Sequence, residues 1–289
     1  MFGLLYNQTL TSMTTFTRLL FGIFLISVLS PKVSAQNFSG IATYKSSSSL
    51  QLTMDSAKVS AEDMKRIMDE LKRKMQKEYT LAFTATESCW QQVESLNGGP
   101  AQASSNGMTV AISDNSADQI LYKNLQNYKF EISNDLMGKL FLIKDSLEHY
   151  NWELTNETKK IGNYNCQKAV LNKIVKSFKF SSGMKEMEQY QDTIRSTVWF
   201  TSDIPVANGP DVYHGLPGLI MEVNTGNRVL ICTKVILNPT EPVKIEKPTK
   251  GKVVTSEEYR AISEKKMEEM MKRYNGGDGE NIIEIRTSG

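Results

Sequence analysis

The sequence predicts a mainly β fold: one curled antiparallel sheet, a meander or half-barrel of about ten strands, with two amphipathic helices packed on it. Three observations predict it. Short apolar or alternating runs recur from residue 38 to residue 237, most of them bounded by turn-forming residues. The connections between them are short, which favours neighbours pairing in succession. Only two stretches, one near each end of that region and beyond, carry a 3.6-residue apolar period.

The elements follow in chain order. Phe38–Lys45 and Ser49–Met54 read as strands. Ser60–Lys77 reads as a helix, with Ser60 as cap, Asp63 as its reciprocal partner and Met64, Ile67, Met68, Leu71 and Met75 on one face. Strands follow at Thr80–Thr86 and Cys89–Glu94, then a Gly/Ser/Asn loop at Asn97–Gly107. Further strands are expected at Gln119–Leu125, Tyr128–Ile132, Lys139–Ile143, Asn151–Leu154, Asn165–Leu171, Thr197–Thr201, Leu219–Val223 and Arg228–Leu237. The run Lys176–Ile194 fits an extended hairpin or a short helical insertion. Asn238–Gly251 holds Pro239, Pro242 and Pro248 and reads as a linker or irregular edge. A second helix spans Ser256–Tyr274, opened by Thr255 and Glu258 and ended by Gly276-Gly277. Its stripe is Tyr259, Ile262, Met267, Met270, Met271 and Tyr274. Ile282–Ile285 is an edge strand or a disordered tail.

Residues 1–35 carry the pattern of a secretory signal peptide. Arg18 precedes an apolar run, Leu19–Leu29, and Val33-Ser34-Ala35 supplies the small residues a signal peptidase reads, so cleavage is expected between Ala35 and Gln36. The run is too short to span a bilayer, which takes roughly 20 residues. Met1–Ser12 holds no charge, and a start at Met13 would give a more ordinary signal. The address is therefore periplasmic or secreted. The expected organisation is a signal peptide over 1–35, one β-rich domain over 36–237, and a linker with C-terminal helix and tail over 238–289.

Charge excludes some partners. Arg18 and Lys32 are the only charged residues of the signal; setting them aside from the 34 basic residues leaves a balance with the 32 acidic ones. No net field favours nucleic acid. Cys89, Cys166 and Cys232 all lie in apolar runs, and either one disulfide with a spare thiol or three buried thiols is compatible with that. Their spacing fits neither a zinc knuckle nor a redox pair.

The stretch Asp203–Val223 is dense in turn residues. Pro217 and Gly218 fit the two centres of a type II turn over Leu216–Leu219, Gly218 taking positive φ. Asn208-Gly209-Pro210 is a second turn signal. The run Gly215-Leu216-Pro217-Gly218-Leu219-Ile220 resembles the signature of the GLPGLI family of secreted Bacteroidetes proteins. Other blocks follow the family's pattern in order: Trp152, then Tyr164, Cys166, Lys168 and Ala169, then Trp199 ahead of Pro205, Gly209 and Pro210. The resemblance covers about residues 120–235. It implies class and compartment but no reaction, since the family has no established activity.

Catalytic motifs are absent. His149 and His214 are the only histidines, too few for a His-rich metal site, and no His-Glu-x-x-His, Gly-x-Ser-x-Gly, phosphate loop or dinucleotide fingerprint occurs. No cofactor and no metal are expected. His214, beside the signature, either orients a ligand or is a solvated loop histidine. Asp203, Asp211 and Glu222 could form an acid/base pair or serve local structure. The helical methionines suit core filling or an adaptable greasy surface better than copper(I). The reading ranked first is a non-enzymatic binding or carrier protein for an apolar ligand or envelope component; the partner stays open, a lipid or an envelope protein being the candidates. Alternatives are an accessory protein docking a membrane partner through the Gly215–Ile220 face, and a carboxylate-dependent hydrolase.

Overall fold

The computed structural model describes residues 38–48, 60–94, 101–105, 108–112, 119–179 and 188–274, all of them within one compact unit, Phe38–Gly289. The proposed signal peptide with its Ala35/Gln36 site, the strand Ser49–Met54 and the segment Ile282–Ile285 lie outside the described residues.

The predicted β class is what the chain adopts. Twelve strands form one sheet and two a separate hairpin. The strands are β1 (Ser39–Ser48), β2 (Glu78–Thr84), β3 (Glu87–Gln92), β4 (Ala101–Ser105), β5 (Met108–Ile112), β6 (Ile120–Asn124), β7 (Lys129–Leu136), β8 (Lys139–Ser146), β9 (Glu153–Ile161), β10 (Tyr164–Lys179), β11 (Glu188–Thr201), β12 (Leu219–Asn224), β13 (Arg228–Leu237) and β14 (Lys252–Val254). The helices are α1 (Ala61–Lys74) and α2 (Ser256–Tyr274). The sheet runs β14-β8-β7-β6-β3-β2-β1-β13-β12-β11-β10-β9 and does not close into a barrel.

Two features depart from a simple meander. The N-terminal strand β1 pairs with both β2 and β13, so the two halves of the chain join at the middle of the sheet. And β14 lies parallel to β8, which makes the sheet mixed. Within the loop expected at Asn97–Gly107, Ala101–Ser105 forms a strand that pairs with Met108–Ile112. Its small polar residues carry no apolar period, and only the cross-strand pairing reveals it.

Period-two alternation decides which face is buried. In β2, Tyr79, Leu81 and Phe83 are buried while their neighbours are not. Residues from β7 to β9 contribute to a single apolar cluster. At about 4.8 Å per strand those two lie roughly 40 Å apart in a flat sheet, so the sheet must curl around its contents. Inside, Trp90 stacks on Tyr79 at 4.8 Å and meets Tyr44 edge-on at 5.4 Å. The buried Tyr44 hydroxyl donates to the Ile220 carbonyl at 2.7 Å, tying β1 to β12 across β13.

Both helix caps form: at Thr255 the capping box is complete, whereas at Ser60 the Asp63 carboxylate accepts from the Ser60 hydroxyl, at 2.6 Å. Asp63 N–H donates to Ser60 Oγ at 3.1 Å. Glu258 N–H donates to Thr255 Oγ1 at 3.2 Å, and Thr255 N–H donates back to Glu258 Oε2 at 2.8 Å. Helix α1 buries Ile67 and Leu71, its methionines staying half-buried at the margin. Helix α2 sets Tyr259 and Ile262 against Phe141, Ile143 and Val254, and leaves Met267 36 % exposed. The side chains of Met270 and Met271 lie outside the described residues.

The proline-containing segment 239–250 runs from β13 to β14. Lys247 Nζ sits 4.4 Å from the Tyr122 ring and Pro248 is buried. Gly251 ends it at φ 119°, where a Cβ would stand 2.7 Å from the Phe141 carbonyl carbon. That approach lets β14 enter beside β8.

Candidate functional site

The connection between β11 and β12, residues 202–218, fills the concave side of the sheet. It is built from tight three-residue turns. Val206 N–H donates to the Ile204 carbonyl at 2.8 Å, Asn208 N–H to Val206 at 2.7 Å, and Gly218 N–H to Leu216 at 2.8 Å. The first and last centre on Pro205 and Pro217, whose ring presets a φ near that of the inverse γ-turn. Ile204, Val206 and Leu216 point inward and are at most 2 % exposed. The expected type II turn at Pro217-Gly218 is not formed: Gly218 has no positive φ, while Gly215 does, at 91°. Gly218 is needed for closeness instead. A Cβ there would lie 2.1 Å from the Thr201 carbonyl oxygen. Gly209 is pressed in the same way against Ile220, 2.7 Å from its Cβ.

The signature is therefore a packing device. Leu219 and Ile220 are fully buried at the start of β12. Gly215 and Pro217 are exposed, while Leu216, Gly218, Leu219 and Ile220 are buried, so only Gly215 and Pro217 of the face offered as a docking surface reach solvent.

One residue that sequence reading passed over holds this loop. Lys123, on β6, is completely buried. Its ammonium donates to the carbonyls of Gly209 at 2.8 Å, Asp211 at 2.7 Å and Tyr213 at 3.2 Å. Three acceptors match the three donors of a charged lysine, and no acceptor is asked of it. Burial lowers its pKa to about 7, with the Asp211 carboxylate opposing. The signal was present in the sequence only as a lysine in the strand Ile120–Asn124, where alternation places it on the same face as Leu121.

Around the loop tip, aromatic rings gather. Tyr150 lies 5.8 Å from Trp152, 5.0 Å from His214 and 6.5 Å from Tyr213, centroid to centroid. Trp152 Nε1 donates to the His214 carbonyl at 2.9 Å. His214 is 3 % exposed, with Nδ1 2.9 Å from the Val212 carbonyl, so it is neither solvated nor open to a ligand. Burial lowers its pKa below the ordinary 6.5, the Val212 carbonyl opposing. The unfolded chain then takes up the proton first, and stability contributed by neutral His214 is lost as pH falls through 6.5. Chemical denaturation at pH 7.5 and pH 5 should show a smaller loss in His214→Gln than in wild type; equal losses would discount this.

Beside these rings is a groove of about 310 Å³. Its floor is apolar, from Leu171, Val175, Ile194, Val223 and Leu230; Tyr150, Tyr213, Lys173 and Arg228 stand around it. Arg228 Nη1 pairs with Asp211 Oδ2 at 3.0 Å, and Lys173 pairs with Glu148. Burial raises the pKa of both tyrosines, so their hydroxyls remain protonated donors near neutrality. The Tyr213 hydroxyl also contacts Ser196 Oγ at 3.1 Å.

The other sequence candidates have structural partners. Cys166 and Ala169 face the core, and Tyr164 packs partly against it. Lys168 pairs with Glu157 at 2.7 Å. Trp199 lies beneath Lys159, 4.4 Å from ring centre to Nζ, and Lys159 pairs with Glu222 at 2.7 Å. Pro205 is exposed, Pro210 buried. Asp211 and Glu222 are thus each held in a separate ion pair, and Asp203 lies in the turn after β11, its N–H donating to Thr201 Oγ1 at 3.3 Å. All three cysteines are buried free thiols. Burial pushes Cys166 up to about 11 and Cys232 up to about 12, which leaves them protonated and unreactive. Among the described residues no cluster of metal-ligating side chains occurs and no helix is long and apolar enough to cross a membrane.

Gly215 supplies a milder test of the loop. Its positive φ strains any L residue although an added Cβ would meet only Trp152 Nε1, at an unstrained 3.7 Å, so Gly215→Ala should cost about 1 kcal/mol in urea denaturation. No loss would contradict the backbone reading.

No curated protein matches the chain. Two structures of PNGF-II, in C2 and P21 space groups, align at TM-scores of 0.44 and 0.43 with 14 % identity; the alignments cover 78 % of this chain and 32 % of theirs. The chain thus spans about a third of that protein's length. Residues 152–222 match the model of a Bacteroidetes-associated family described as "Protein of unknown function (Porph_ging)", consistent with the resemblance read from Gly215–Ile220.

Proposed function

We propose that this chain is an exported, non-enzymatic binding protein whose ligand seats in the groove between the β10–β11 hairpin and the loop tip Asp211–Tyr213. One observation carries the reading: an open, apolar-floored groove of about 310 Å³ is rimmed by tyrosine hydroxyls and two ion pairs. Concave sites of that composition are typical ligand seats. The groove lacks a free carboxylate pair or an activated nucleophile, which favours binding over chemistry. The groove differs from the adaptable greasy surface that the helical methionines suggested: the loop residues Ile204, Val206 and Leu216 occupy the concave space, and among the described residues no methionine lines the groove. Export is supported by the Arg18, Leu19–Leu29 and Val33–Ala35 pattern.

Native mass spectrometry of the chain purified from its own cells tests the reading. A bound mass on wild type that is lost on Tyr213→Ala is expected. A bare chain in both would sink it.

A further inference from the structure

The long hairpin that forms one wall of the groove has an open edge. β11 pairs with β10 along thirteen positions, Gln167↔Phe200 to Lys179↔Glu188. On its other side it pairs with β12 only from Thr197 to Thr201. Among the described residues no strand covers Glu188–Ser196 on that side. β12 leaves the edge because the chain turns at Asn224–Asn227, where Gly226 takes φ 89° and Thr225 N–H donates to the Arg228 carbonyl at 3.0 Å.

Two observations show what that edge is ready to hold. First, the backbone N–H of Thr193 donates to the Asp192 carboxylate at 2.8 Å. That N–H points away from β10, and a side-chain oxygen stands where a neighbouring strand's carbonyl would be. In an antiparallel ladder alternate residues share this direction, so Gln191 and Arg195 turn their backbone groups outward too. Second, a cleft of about 520 Å³ runs along this edge, between Asp192–Thr197 and the turn Asn224–Asn227. It lies in line with β12, and Ile194 and Thr225 belong to both the cleft and the groove. The two depressions are one continuous site.

We infer that the ligand is an extended polypeptide segment that adds to the free edge of β11 as a strand and places alternate side chains in the groove. The inference rests on the groove reading above and names its ligand class. The backbone of Gln191, Thr193 and Arg195 supplies the ladder, with Asp192 swinging off the Thr193 N–H as the partner carbonyl arrives. On the groove face Ile194 and Ser196 alternate with these residues, so every second residue of the guest meets Tyr213, Val223 and Leu230. This is strand addition, in which main-chain bonds give affinity and side-chain pockets give selectivity. An extended peptide fits better than a compact ligand, since the cleft follows the strand while the groove opens from its side. The edge also carries no proline, one of the devices that block strand addition.

The test uses the whole chain and the free peptide Lys-Thr-Val-Thr-Val-Thr-Val-Lys, followed by amide NMR. Binding with shifts at Gln191–Ser196 is expected. Thr193→Pro removes an outward N–H and no β10 ladder bond, a placement edge strands tolerate. It should weaken binding about tenfold or more. Methylating alternate peptide nitrogens should do the same on the wild-type chain, which keeps the test valid if the proline variant fails to fold. No binding up to about 1 mM overturns the inference. So does affinity unchanged by both modifications; if Tyr213→Ala still abolishes binding in that case, the groove reading survives alone. A wild-type dimer that Thr193→Pro dissociates also overturns it, by giving the edge to a second copy.

Discussion

Gly218→Ala should destabilise the chain by about 4 kcal/mol, or prevent folding outright. An added Cβ would stand 2.1 Å from the Thr201 carbonyl oxygen and 2.6 Å from its carbon. Both are backbone atoms at the end of β11, so no side-chain rotation relieves the overlap. Relief requires moving the loop off the strand, which opens the packing of Leu216, Leu219 and Ile220. Overpacking of a rigid core costs about 1–3 kcal/mol, and large effects arise where the neighbour is immovable. The neighbouring Pro217→Ala supplies the control. Pro217 is exposed, so its loss should cost below about 1 kcal/mol. Urea denaturation of the two variants beside wild type decides it. A Gly218→Ala cost no greater than that of Pro217→Ala would refute the close-packing account of the signature.

Lys123→Met should cost about 3–5 kcal/mol. Methionine keeps the length and much of the shape of the stem but removes every donor. The carbonyls of Gly209, Asp211 and Tyr213 would then lose the ammonium that all three accept from. Stranding buried polar groups costs about 1–3 kcal/mol each, partly relieved when water enters. The loss should be local as well as global. Hydrogen exchange at residues 208–214 should accelerate more than exchange at β1 and β2. Because Tyr213 both accepts from Lys123 and rims the groove, the same variant should weaken peptide binding. If stability falls and exchange at the tip keeps pace with the rest of the sheet, the lysine is a core residue like any other and not the pin of this loop.

Much of the fold was legible because β structure writes itself as alternation. Tyr79, Leu81 and Phe83 on β2 follow that rule, and both helix caps were readable at Ser60 and Thr255. The run between Lys176 and Ile194 was read as a hairpin or an insertion, and the pairing of β10 with β11 chooses the hairpin. The candidate site was far less legible. Tyr150 lies between β8 and β9, Tyr213 on the loop before β12 and Arg228 at the start of β13, and they line one groove only because the curled sheet brings those segments to one face. Lys123 lies unremarked within the predicted strand Gln119–Leu125, because nothing local marks a lysine there as buried. The Gly-Leu-Pro-Gly-Leu-Ile run was conspicuous in sequence, yet the reason for Gly218 was wrong at the backbone level: a close approach was needed, not a positive φ.

The sequence by itself determined the β class, the position of most strands, the two capped helices, and the absence of recognisable catalytic motifs. These follow from near-neighbour rules, since side-chain alternation, caps and turns involve residues within a few positions of each other. Tertiary structure alone decided that β1 joins the two halves of the sheet, that β14 runs parallel to β8, that the signature is buried, and that a lysine from β6 threads the loop after β11. Those contacts join residues tens to nearly two hundred positions apart. Only the closing of the curled sheet on its contents selects among them, because burial and hydrogen-bond satisfaction are properties of the whole packed interior.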